Sequence, residues 1–209
     1  MPVVFAGGAT VSLYVDAVFR EEVRPTDDVD VVIEIVAYKN YAAVEEQLRA
    51  LGFVNDTTSK VICRYQYQGI IVDIILTDEK VLGFSNKWYA SGFQKAIDYE
   101  IDRQHTVKIS PAPYFIASKL EAFKGRGKND GRTSTDFEDI VFVIANRKKV
   151  WEEFSDTDNA VKVYLKKEFS RLLDNQFLNE WIAAHLAPAF MGEQLEIILQ
   201  QMNMFIKSE

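Results

Sequence analysis

GGATVSLYVDAVFREEVRPTDDVDVVIEI, residues 7–35, decides how the chain is read. Its glycine pair closes a short apolar run, Val3–Ala6, and so marks a buried strand entering a turn. From Ala9 to about Arg20 the residues Val11, Leu13, Tyr14, Val15, Ala17 and Val18 are compatible with one helix. Asp28–Val36 is a β-branched run and predicts a strand. The stretch is therefore one strand–helix–strand unit, with Gly7-Gly8 at the first turn and Asp28 and Asp30 at the mouth of the second strand. A single residue separates these aspartates, so they leave the strand on one face, about 7 Å apart along the chain. Two carboxylates projecting together repel unless water or a cation lies between them. Mg2+ suits such a pair, because it takes one or two carboxylates and completes its octahedron with substrate phosphates. Asp27 points to the opposite face and is a weaker candidate. The plainer alternative is that Asp27, Asp28 and Asp30 only cap the turn before the strand.

Outward from this unit, Tyr41–Leu51 carries Val44, Leu48 and Leu51 at helical spacing and stops at Gly52. Lys60–Tyr67 and Gly69–Thr77 read as two strands of a hairpin closed at Gln68-Gly69. Ile97–Ile101 and Thr106–Ile109 predict another short pair. After Pro111 the pattern becomes helical, with Tyr114–Lys124, Thr135–Arg147, Asn159–Leu173 and Met191–Lys207 as the expected helices. The expected class is α+β: a mixed sheet with flanking helices over residues 1–110, then a helical half over residues 111–209 that can share its core.

Asp73 strengthens the case for chemistry. It interrupts Ile70-Ile71-Val72 and Ile74-Ile75-Leu76, a run that predicts a buried central strand. An ionised carboxylate there costs several kcal/mol unless it is paired or metal-bound. If its strand neighbours that of Asp28 and Asp30, three carboxylates converge as in a two-metal phosphoryl-transfer site. The competing partner is a buried cation such as Arg64. Gly7-Gly8 lets the backbone approach a ligand closely and aims helix N-terminal amides at an anion, with the hydroxyls of Thr10 and Ser12 able to touch a phosphate.

Composition limits the partners. The chain has 209 residues, of which 48% are hydrophobic and 26% charged, ordinary values for a globular protein. It carries 24 Lys and Arg against 31 Asp and Glu, a net −7, so a polyanion could be met only through a local basic patch. Lys124, Arg126, Lys128 and Arg132 form the candidate, in a loop loosened by Gly125, Gly127 and Gly131; a merely solvated basic loop is the plain alternative. No run of about 18 uncharged apolar residues predicts a membrane span. The segment before Arg20 lacks a basic start and carries Asp16, which argues against a signal peptide. Cys63 is the only cysteine, and with His105 and His185 alone beside it no Cys/His zinc site can be assembled. The cytoplasm is the expected location, with no membrane partner.

A Gly-Gly turn, a helix, Arg24–Asp30 as R-P-T-D-D-V-D, and a later Asp73 on another strand together resemble the polymerase-beta-type nucleotidyltransferase superfamily. PYFIASKLEAFKGRGKNDGRTSTDFEDI, residues 113–140, is similar to the Lys-Leu-x-Ala and Asp-x-x-Asp signatures of the AbiEii/AbiGii nucleotidyltransferase toxin family. The resemblance covers residues 3–150, although relatives often carry a further helix before the first strand. It implies a polymerase-beta-like fold and a nucleoside triphosphate as substrate. Asp28, Asp30 and Asp73 would then be ligands of Mg2+ or Mn2+, and Asp73 would also help to deprotonate an acceptor hydroxyl. Lys119 would touch the nucleotide phosphates and Asp136 would belong to the fourth motif and orient Lys119. A surface ion pair of Lys119 with Asp136 or Asp139 is the structural alternative. The implied acceptor is the 3′ end of a tRNA, met by Lys124, Arg126, Lys128 and Arg132, or a protein hydroxyl, and the implied protein partner is an antitoxin. Arg24 is expected to fix its loop. Two rival readings remain: an aminoglycoside-type nucleotidyltransferase acting on a small molecule, and a non-catalytic protein that binds nucleotide or antitoxin only.

Overall fold

The computed structural model describes residues 2–34, 38–59, 61, 63–77, 85–128, 130–189 and 191–208. The expected strand ends at Val36 and Lys60 lie outside the described residues. Contacts divide the chain into two compact units: Met1–Thr10 with Arg24–Pro111, and Val11–Val23 with Ala112–Glu209.

The first unit is built on one mixed sheet. Its strands among the described residues are β1 (Val3–Ala6), β2 (Asp28–Ile33), β3 (Val54–Asn55), β4 (Arg64–Tyr67), β5 (Ile70–Leu76), β6 (Ile97–Glu100) and β7 (Thr106–Ile109). They lie in the order β3-β4-β5-β2-β1-β7-β6. β2 runs parallel to β5 and β1 parallel to β7, while the other neighbours are antiparallel. Alternation sorts the side chains. Val31, Ile33, Val72, Ile74 and Leu76 cover one face and pack against Val44 and Leu48 of α2 (Tyr38–Ala50). Leu51, expected on the same helical stripe, is 67% exposed. Val4, Ala6 and Val32 belong to the other face, where Tyr89 and Phe93 of α3 (Tyr89–Gln94) pack on them. β4 and β5 are joined through Gln68-Gly69, whose φ values of 49° and 83° are the left-handed pair that a two-residue hairpin turn needs.

The second unit is helical. Its elements are α1 (Val11–Tyr14), α4 (Ala112–Arg126), α5 (Thr135–Asn146), α6 (Val150–Asp156), α7 (Asn159–Leu173), α8 (Leu178–Ala183) and α9 (Met191–Lys207). Phe123 and Phe137 each meet Trp181 edge to face in one part of its core, and Phe169 meets Phe205 edge to face in another, with Phe154 tilted against both. Ser134 caps α5 by accepting from the Phe137 amide. No helix among the described residues is long and apolar enough to cross a membrane.

One expectation is corrected here. The single helix from Ala9 to Arg20 is instead a 3-10 turn at Gly8–Thr10, the one-turn α1, and a second 3-10 stretch at Ala17–Glu22. Tertiary hydrogen bonds replace helical ones at the break: the Tyr14 carbonyl accepts from Arg147 Nη1 at 3.0 Å, and the Asp16 amide donates to the Asn146 carbonyl at 2.9 Å. The segment Val11–Val23 also belongs to the helical unit, where the Tyr14 ring stacks on Phe115 at 4.1 Å, and not with the other residues before 110.

Candidate functional site

The parallel register of β2 and β5 sets Asp30 beside Asp73, with Asp28 beside Ile71. Neighbouring strands lie about 4.8 Å apart, so the alternation of side chains brings Asp28, Asp30 and Asp73 onto one face within reach of one another. A third strand contributes to the same face, because β4 pairs Arg64 with Asp73. Arg64 donates from Nε to Asp73 Oδ1 at 2.8 Å and from Nη2 to Asp73 Oδ2 at 2.7 Å. The same Nη2 donates to Asp28 Oδ2 at 3.0 Å. Asp73 therefore has the half-buried Arg64 cation as its partner, the alternative to a metal that the sequence leaves open. Donation to the Asp73 carboxylate holds the Arg64 pKa above its ordinary value; burial opposes this, and the charges of Asp73 and Asp28 add to it. Burial pushes the neighbouring Cys63 thiol up to about 11, assisted by the charges of Asp73 and Asp30, so this cysteine stays protonated at neutral pH.

The glycine turn is shaped by the same carboxylate. Gly7 has φ +71°, and a Cβ there would lie 1.7 Å from Asp30 Oδ2. A Cβ on Gly8 would lie 2.7 Å from Thr26 Cγ2 and 3.0 Å from Arg24 Nη2. Both glycines are thus required by the side chains of Arg24, Thr26 and Asp30, which occupy the space a larger residue would need. Thr10 is buried and donates its hydroxyl hydrogen back to the Gly7 carbonyl at 2.9 Å, so it braces the turn. Thr26 donates to the Asp28 carbonyl at 3.2 Å. Ser12, half-buried on α1, belongs to the other unit. The helix expected to aim amides at an anion is reduced to the 3-10 turn of Gly8–Thr10 on this unit.

In the helical unit Lys119 is 5% exposed, and Asp136 and Asp139 are 2% exposed. The Lys119 ammonium lies 2.6 Å from Asp139 Oδ2 and 3.4 Å from Asp136 Oδ1. Arg126 holds Asp136 from the other side in a fork, Nε to Oδ2 at 2.7 Å and Nη2 to Oδ1 at 2.8 Å. Burial works to raise the Asp136 pKa, but the bonds and charges of Arg126 and Lys119 hold it below the usual carboxylate value. The ion pair considered as a surface feature is therefore buried, and removal of one partner would strand charge in the interior.

The basic stretch is largely neutralised within its own unit. Lys124 lies 3.0 Å from both Glu121 and Glu168, Arg126 grips Asp136, and Arg132 contacts Asp130 at 2.9 Å. Lys128 is exposed at φ 49°. The loop is also packed rather than loosened: a Cβ on Gly127 would meet the Phe123 ring at 2.3 Å, and one on Gly131 the Trp181 ring at 2.7 Å. These two glycines are required for aromatic packing.

Among the described residues no group of three or more His, Cys, Asp and Glu side chains is arranged to hold a metal ion. Asp28 and Asp30 still fit Mg2+ or Mn2+ by donor type, since nucleotide enzymes commonly hold the ion with one or two carboxylates and the phosphates of the substrate. A cavity of about 440 Å³ opens on the opposite, apolar face of the sheet, lined by residues such as Phe5, Val29, Leu48 and Phe53. It contains none of these charged groups and lies away from the chemistry. Compared with known proteins, the sequence matches no family model, and no curated protein matches it.

Proposed function

We propose that the protein is a nucleotidyltransferase that moves a nucleoside monophosphate from a nucleoside triphosphate to an acceptor hydroxyl. The observation that carries this reading is the fit of Asp30 against Gly7, beside Asp73 on the neighbouring strand. It ties the glycine turn, the Arg24–Asp30 segment and the second aspartate strand into one assembly, as the resemblance requires. In the reaction the acceptor oxygen bonds to the α-phosphorus, the bond to the β-phosphate oxygen breaks, and pyrophosphate leaves; the hydroxyl proton passes to a carboxylate or to water. Asp28 and Asp30 would hold Mg2+ or Mn2+, which when bound neutralises triphosphate charge and polarises the transferred phosphoryl group. The space beside Gly7 and Gly8 is taken by the side chains of Asp30, Thr26 and Arg24, so the glycine turn positions Asp30. Arg24 and Thr26 brace that turn, and Arg64 positions Asp28 and Asp73.

The role of Lys119 on phosphate rests on the resemblance, as do the toxin character and the antitoxin partner. The internal pairing of Lys124, Arg126 and Arg132 weakens their assignment to an RNA acceptor and leaves a protein hydroxyl equally supported. A second reading, a non-catalytic nucleotide- or antitoxin-binding protein, is favoured by one observation: Arg64 contacts two of the three carboxylates.

The test is incubation with each labelled triphosphate and Mg2+, offering total cellular RNA, lysate protein or an aminoglycoside. Label entering RNA or protein supports the proposal and names the acceptor, and label entering only the aminoglycoside supports the small-molecule rival. Asp30→Asn is expected to abolish transfer with an unchanged circular dichroism spectrum. Full activity in that variant would defeat the assignment, and nucleotide binding without transfer to any acceptor would favour the second reading.

A further inference from the structure

The apolar face of the sheet is only partly covered by α2. Val44 and Leu48 of that helix are buried against it, whereas Val3, Phe5 and Val29 on the same face stay half-buried. Between helix and strands lies the cavity of about 440 Å³. Native interiors close nearly all voids larger than a water molecule, and an engineered apolar cavity of about 150 Å³ already takes up benzene. Water is a poor occupant of such a space, because it needs several polar partners. Among the described lining residues the only polar side-chain groups are the Gln47 amide and the Tyr67 hydroxyl, and none is charged. The volume falls within the roughly 300–1,000 Å³ of small-molecule sites, whose walls are likewise apolar and aromatic with few polar groups. Phe5, Phe53 and Tyr67 contribute three rings to the wall, the last two stacked with centroids 4.5 Å apart. Gln47 and the exposed Leu51 and Ile70 mark the mouth. Strand alternation puts the floor behind the carboxylate face: Val29 separates Asp28 from Asp30 in the chain, and Val72 and Ile74 flank Asp73.

We propose that this cavity binds a neutral small molecule with a planar aromatic body and a single polar group. The body lodges between α2 and the sheet, and the polar group meets Gln47 at the mouth. Rings in the wall favour a ring system in the ligand, through offset-stacked or edge-to-face contact. Neutrality follows from the walls, since a charged group drawn inside would lose its hydration with no counter-charge to meet it. The Gln47 amide can donate to a carbonyl or accept from a hydroxyl. This site lies apart from the nucleotide chemistry and stands whether or not the protein is a nucleotidyltransferase.

The experiment titrates the full chain with N-phenyl-1-naphthylamine, a neutral probe that fluoresces in apolar surroundings, and follows the methyl resonances in parallel. Saturable binding of one probe per chain is expected, with methyl shifts at Val31, Leu48, Val72 and Ile74 and none at Val161 or Leu165 of the helical unit. The sulfonated relative 8-anilino-1-naphthalenesulfonate is expected to bind about tenfold more weakly or worse. Val3→Trp fills the cavity from a half-buried position, and is expected to weaken the neutral probe by about tenfold or more at an unchanged or higher melting temperature. If that variant does not fold, the wild-type methyl shifts decide alone: shifts at the cavity support the inference, and shifts elsewhere overturn it. Absence of saturable binding, equal affinity for the two probes, or undiminished binding in folded Val3→Trp would each overturn it. Absence of binding in a protein whose dimer is broken by Leu51→Arg would assign the mouth to a second copy of the chain instead.

Discussion

Lys119 is held in the interior of the helical unit between two carboxylates, so its removal acts first on stability. Breaking a buried pair from one side typically costs about 3–5 kcal/mol, against ~0–1 kcal/mol for an exposed pair. Lys119→Met is expected to fall in the larger range in a urea titration. A loss below about 1 kcal/mol for Lys119→Met would show the pair to be a surface one in its energetics. Asp136 adds a pH signature. Its folded pKa is depressed, so the unfolded chain takes up its proton first as pH falls. The stability it contributes is complete above the unfolded value near pH 4 and is lost as pH drops through the lower folded value. Melting temperatures recorded from pH 7 to pH 2 should fall steeply on that acid limb, and Asp136→Asn should flatten it; an unchanged limb would exclude Asp136 as its source. At this scale the sequence exposes Asp28 and Asp30 well, because alternation along a strand is local. It names Arg64 only as a possible partner of Asp73, since the bridge to Asp28 depends on three strands lying side by side.

The hairpin of β4 and β5 carries Arg64 and Asp73 opposite each other, so its turn governs the alignment of the charged face. The φ of 49° at Gln68 puts a side-chain-bearing residue in the left-handed region, where asparagine is better tolerated. Gln68→Asn is therefore expected to stabilise the first unit by up to ~1 kcal/mol, read as a higher urea midpoint at unchanged slope. A lower midpoint would show that the glutamine side chain contributes more than the turn geometry costs. Short apolar and β-branched runs bounded by turn residues are legible in the chain: β1, β5, β7 and the start of β2 fall where such runs put them. The helix α7 coincides with Asn159–Leu173 and α9 with Met191–Lys207, because long amphipathic periods leave little choice. The seven-residue α6 and six-residue α8 were not anticipated, being too short to display a helical period. The segment after Gly8 misleads for another reason. Val18 extends the apparent apolar stripe yet is 78% exposed, and the break after Tyr14 is imposed by contacts with α5 and Arg147, more than 130 positions away in the chain.

Across the whole molecule, each unit is assembled from two separated stretches of chain. In the helical unit Tyr14 is 2% exposed, stacks on Phe115, and has its backbone carbonyl held by Arg147. Tyr14→Ala is expected to cost about 3–5 kcal/mol, the usual range for truncating a large buried aromatic, and near-native unfolding would show that Val11–Val23 only decorates this unit. The same arrangement has a consequence for synthesis on the ribosome. Val11, Leu13, Tyr14 and Val15 emerge early, but Asn146 and Arg147, whose groups receive Asp16 and grip Tyr14, come far later. At ordinary translation rates of about 5–20 residues per second, the early segment waits roughly 7–26 seconds for its partners. During that interval an apolar stretch beside the glycine turn has no native place to go, so the nascent chain offers a binding site to chaperones that the finished protein does not.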